Sequence, residues 1–109
     1  MASNNDKIPE LSKKEFDSFI EKDLVLIEFS ADWCMPCIMM APIMEDLAYK
    51  LKGKIKFGKV NIDDNSDIAQ KFNVVSIPHF VLFKEGKKIG EMLGSIASED
   101  LEKKIGEFV

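Results

Sequence analysis

With 109 residues, 46% of them hydrophobic and 31% charged, the chain has the size and composition of one soluble globular domain with a modest core, not of a disordered segment. A net charge of −4, with no basic patch interleaved with aromatics, argues against nucleic-acid or phosphate binding as its main purpose. No apolar run approaches the roughly 18 residues of a membrane span, and the start Met1-Ala2-Ser3-Asn4-Asn5-Asp6-Lys7 lacks the basic-then-apolar form of a signal peptide, so the expected compartment is the cytoplasm.

In chain order, residues 1–7 read as a polar tail ahead of one domain spanning 8–109. Ile8–Leu11 is a candidate short strand broken by Pro9. Ser12 and Glu15 form a capping box that starts a helix over Lys13–Lys22, with Phe16, Phe19 and Ile20 on one face. Leu24–Phe29 is nearly continuous apolar, the pattern of a central strand covered on both faces. A helix then runs from Cys34 to about Leu51, ended by Gly53. Ile55–Ile62 is a third strand, and Asp67–Phe72 is a short helix capped by Ser66. His79–Phe83 and Lys88–Leu93 flank Glu85-Gly86 as a hairpin, and Ser98–Phe108 is the last helix. This order predicts an α/β fold: a central mixed sheet, parallel first and closed by an antiparallel hairpin, with helices on both faces.

The chemistry centres on Trp33-Cys34-Met35-Pro36-Cys37, which holds both cysteines of the chain. In such sheets the active site lies beyond the carboxyl end of a central strand, where this motif sits. A C-x-x-C in a reducing compartment is more often catalytic or metal-binding than a staple. Residues i and i+3 of a helix stand at a separation a disulfide accepts, while so small a loop constrains the unfolded chain little. Cys34 at the helix start is the nucleophile, its thiolate favoured by free amides and the helix dipole, and Cys37 is the resolving thiol. Pro36 suits a first helical turn, where its missing N–H costs nothing, and Trp33 can shield the sulfur. Pro42 should bend the helix. Glu28 interrupts the central strand beneath the cysteines. It is either a buried acid, with a raised pKa suited to taking the Cys37 proton, or a carboxylate reaching solvent or pairing with a lysine such as Lys59. The residues alone predict a trans bond before Pro78.

Trp33-Cys34-x-Pro36-Cys37, Ala41-Pro42, Val60-Asn61-Ile62-Asp63, Ile77-Pro78 and Phe83-Lys84-Glu85-Gly86, in that order, resemble the thioredoxin family from about residue 8 to 108. The resemblance implies dithiol–disulfide exchange with disulfide-containing protein substrates. It implies no bound cofactor beyond a redox-active Cys34–Cys37 disulfide, and electrons from a thioredoxin reductase. It also implies a cis Pro78 lying against the cysteines, an Ile77 backbone that pairs with the substrate, and Gly94 beside the same groove. Substrate contacts thus fall on Trp33, Met35, Pro36, Ile77, Pro78 and Gly94. Its aligned place favours the catalytic reading of Glu28. The chain departs from the family at Met35, where Gly is usual; at Glu28, where Asp is; at Ser30 and Ile38, where Trp and Lys are common; and at His79, where Thr is. His79 reads as a hydrogen-bonded strand-start residue. No metal site, nucleic acid or membrane is expected, and nothing demands more than a monomer. Two alternatives stay open: an oxidant or isomerase of the same fold, and a Cu(I) module using Met35, Met39, Met40 and Met44, although Met40 and Met44 fall on the apolar stripe of a core.

Overall fold

In the computed structural model, which describes residues 8–108, Leu24–Ser30 forms β1, paired along both edges. It runs parallel to β2 (Lys56–Asn61) and antiparallel to β3 (His79–Lys84); β3 in turn pairs antiparallel with β4 (Lys87–Leu93), giving the order β2-β1-β3-β4. A parallel pair needs a crossover, and the helix α2 (Met35–Lys50) supplies it. The β3–β4 hairpin needs only two residues, Glu85 and Gly86, whose φ angles of 51° and 84° match the twist of a primed turn.

The period-two alternation of the strands sorts the core into two layers. Val25, Ile27 and Phe29 of β1 pack with Val81 and Phe83 against Phe16 and Ile20 of α1 (Lys13–Ile20) and Ile68 of α3 (Ser66–Lys71). Leu26 packs with Phe80, Leu82 and Met92 against Met40, Met44 and Leu47 of α2 and Leu101 and Ile105 of α4 (Ser98–Glu107). Residue 28 shares the face of Leu26, so Glu28 points to the α2 side, beneath the cysteines.

The polar stretch 1–7 lies outside the described residues. Ile8–Leu11 is not a full strand: it makes a single bridge, Glu10 to Lys59, with Leu11 N–H donating to Lys59 and Lys59 N–H to Pro9. Pro9 has no N–H with which to extend that ladder. α1 ends at Ile20, two residues short of the expected Lys22. At its start the Ser12 N–H donates to Glu15 Oε1 at 2.8 Å, the back-reaching arm of the capping box. The N-cap of α3 is Asn65, not Ser66; its carbonyl accepts the Ile68 and Ala69 amides while its side chain donates to the Asn61 carbonyl at 3.1 Å.

In β4, a Cβ at Gly90 would run into the ring of Phe108, which follows α4. Gly90→Ala should therefore lower stability by about 1–3 kcal/mol, as overpacking does. In urea melts the same substitution in a Phe108→Ala background should cost less than half as much.

Candidate active site

β1 ends at Ser30, and a turn through Ala31, Asp32 and Trp33 delivers Cys34 as the N-cap of α2, with extended backbone (φ −87°, ψ 104°). Cys34 and Cys37 are disulfide-bonded, their Cα atoms 5.3 Å apart. The Cys37 N–H donates to Cys34 Sγ at 3.3 Å. In the reduced protein the same amide, one of the donors of a helix start, would face any negative charge on that sulfur. Pro36 fills a first-turn position where no donor is needed. Both cysteines are buried, so a partner must come down onto them.

Ile77 forms a second wall, packed on Ala31, Cys34 and Cys37. The Ile77-Pro78 bond is cis, as the resemblance implies and contrary to the trans expected from the residues alone. The Gly94 N–H donates to the Pro78 carbonyl at 2.8 Å, with Gly94 at a φ of 80° that favours glycine. This bond joins two predicted groove residues from segments far apart in the chain. His79 begins β3 and is buried, its Nε2 3.0 Å from Glu91 Oε1. Lys88 first, and His79 second, hold the Glu91 carboxyl below the usual range. His79 thus fastens the groove strand to β4, as expected of a strand-start residue.

Trp33 is exposed, but its Nε1–H donates to Asp63 Oδ2 at 2.9 Å, which fixes the indole beside the motif. The Asp63 amide is held by Asn61 Oδ1 at 2.9 Å. Sequence reading assigned no role to Asp63, although it lies in the Val60–Asp63 run that carried part of the resemblance. Met40 and Met44 are buried in the core, whereas Met35 and Met39 are exposed on the other side of α2.

Glu28 is only 3% exposed, and its Oε2 has no hydrogen-bond partner among the described residues. Burial raises its pKa to about 7, against the opposing pull of Lys59, its register partner on β2. A cavity of about 230 Å³ is lined by Glu28, Cys37 and Lys59 together with Asp32, Ala41 and Glu45. The buried carboxyl and the second cysteine therefore share one space, wide enough for water.

A vicinal thiol pair at a helix start, above a buried acid and beside a cis-proline loop, defines a thiol–disulfide oxidoreductase. The thioredoxin family model matches residues 7–107. The thioredoxin of Chlamydia pneumoniae is 46% identical over 84 residues, covering 77% of this chain and 81% of the relative. That of Staphylococcus aureus (strain Mu50) is 37% identical over 94 residues, covering 86% and 90%. A solved mutant thioredoxin from Halobacterium salinarum NRC-1 superposes with a TM-score of 0.85 at 30% identity, covering 94% of this chain and 91% of that one. The chain belongs to the thioredoxin family.

The raised pKa of Glu28 makes stability depend on pH in a defined direction. In the unfolded chain this carboxyl ionises near 4.5, whereas in the folded protein it keeps its proton to about 7. Between those values the unfolded state binds fewer protons, so stability falls as pH rises, by up to about 3 kcal/mol at 1.36 kcal/mol per unit. Urea titrations of the oxidised protein from pH 4 to 8 should show this fall, and Glu28→Gln should remove it.

Proposed function

We propose that the protein reduces disulfides of other proteins, with Cys34 as nucleophile, Cys37 as resolving thiol and Glu28 as the base that serves Cys37. The observation that carries this reading is the shared cavity, which gives the second cysteine a proton acceptor poised near neutral pH. In the first step the Cys34 thiolate attacks one sulfur of the substrate disulfide. A mixed disulfide forms, and the other substrate sulfur leaves as a thiolate. Cys37 then passes its proton toward Glu28, directly or through water in the cavity, and attacks Cys34 Sγ. The second substrate thiolate departs, and the protein is left with the Cys34–Cys37 disulfide. A thioredoxin reductase supplies the two electrons that reopen it.

The substrate lies along Ile77-Pro78, bounded by Trp33, Met35, Pro36 and Gly94. Supporting this, neither the N–H nor the C=O of Ile77 has a backbone partner among the described residues, so both are free to pair with an extended chain. Residues 8–109 act as one domain, monomeric and cytoplasmic.

With dithiothreitol or a reductase system, the protein should reduce insulin disulfides, and Cys34→Ser should abolish this. Cys37→Ser should accumulate a substrate adduct that survives gels run without reductant; the absence of any adduct would assign the roles differently. In rapid-mixing experiments near pH 7, Glu28→Gln should slow release of reduced substrate by roughly tenfold or more while leaving the attack step within about twofold. Equal slowing of both steps would remove Glu28 from the proton path.

A further inference from the structure

Seven large apolar side chains are exposed among the described residues, and their distribution is uneven. Trp33, Met35, Ile38 and Met39 lie within one short segment, Val75 precedes Ile77-Pro78, and Leu93 precedes Gly94; only Tyr49 lies elsewhere. Trp33, Met35 and the Ile77 loop belong to the groove already described. Ile38 and Met39 lie outside that groove, although Ile38 also edges the cavity that Glu28 shares with Cys37. Ile38 and Met39 are 52% and 68% exposed, and they follow Met35 at the i+3 and i+4 spacing that places side chains on one helix face. No residue from Trp33 to Met44 carries a charge. The first turns of α2 thus present an uncharged, methionine-rich ridge that begins at the buried nucleophile.

We propose that the Met35–Ile38–Met39 ridge is a specificity surface that takes a large aliphatic side chain of the substrate polypeptide, close in sequence to the cysteine under attack. This deepens the disulfide-reductase reading and rests on it. The occupant is a disulfide-bearing chain because the ridge is continuous with the place where that chain must arrive: Cys34 caps the same helix. Five residues of helix separate Cys34 from Met39, a rise of about 7.5 Å. An extended chain covers that distance in roughly two residues. The apolar side chain should therefore stand about two positions from the substrate cysteine. Methionine suits such a surface because its unbranched, polarisable side chain repacks around differently shaped neighbours. With no cation on the ridge, acidic substrates gain nothing there, and apolar ones bury area.

The test uses two peptides with one internal disulfide, identical except for Leu or Ser two positions from each cysteine on both sides. The small disulfide 5,5′-dithiobis(2-nitrobenzoate) serves as a third substrate. Stopped-flow mixing with the reduced protein should show the Leu peptide reacting about fivefold faster than the Ser peptide, the effect of burying roughly half a leucine side chain. The Met39→Ser variant should lose most of that preference while its rates with the Ser peptide and the small disulfide stay within about twofold. Equal rates for the two wild-type peptides, alongside normal reaction with the small disulfide, would overturn the ridge alone. So would a preference retained in full by that variant. No reaction with any disulfide would overturn the reductase reading and the ridge with it. A wild-type dimer in sedimentation that becomes monomeric in the variant would assign the ridge to a second copy of the chain and overturn the proposal.

Discussion

Everything at the redox centre depends on an ionisable carboxyl held in the apolar middle of β1. The alternation that drives Leu26 into the α2 side of the core drives Glu28 there as well, because both belong to one face of a strand paired along both edges. An isolated carboxylate there would be costly, so the group keeps its proton to about pH 7. Lys59 keeps the cost below that of a fully isolated charge, and the cavity leaves the proton a way in and out. The position is poor for stability above neutrality, and it sets a group that exchanges its proton near pH 7 in the same cavity as Cys37.

The cysteines are held by simpler means. Ending β1 at Ser30 leaves a short turn before Cys34 caps α2, so its sulfur meets the backbone amide of Cys37. The opposite wall is built from chain more than forty residues away. It is fixed by backbone: a cis peptide at Pro78, whose carbonyl is tied to the Gly94 amide. His79 and Glu91 fasten the same two strands one step further in. Two walls thus flank a buried disulfide, and the exposed side chains of Met35, Ile38 and Met39 stand beside them on α2.

Much of this was legible in the sequence because it rests on local or periodic signals. The run Leu24–Phe29 reads as a central strand, Glu85-Gly86 as a tight turn, and Cys34–Cys37 as a helix-start pair, each from a few neighbouring residues. The two methionines on the helical stripe, Met40 and Met44, are indeed core. What was not legible depends on distant partners. The bond from Trp33 to Asp63 spans thirty positions, and no spacing rule announces it. The cis bond at Pro78 is another such feature; without the family resemblance, local preference points the other way. Glu28 was ambiguous for the same reason: only its burial, its unpartnered Oε2 and the cavity beside Cys37 distinguish a buried acid from a salt bridge to Lys59. At Ile8–Leu11, apolar residues suggested a strand, but Pro9 limits it to one bridge.

The sheet ends in β4, whose outer edge follows no further strand among the described residues. Lys87, Lys88 and Glu91 crowd that edge with charge, and the β3–β4 register shifts between Leu82 and Phe83. Charged side chains and irregular pairing are the features that keep a sheet margin from recruiting a stranger's backbone and seeding aggregates. A protein with unpaired backbone beside its disulfide has particular need of such a guard. Here the Ile77 backbone, without a backbone partner among the described residues, is confined to a loop beside the sulfur, and the sheet margin is left inhospitable.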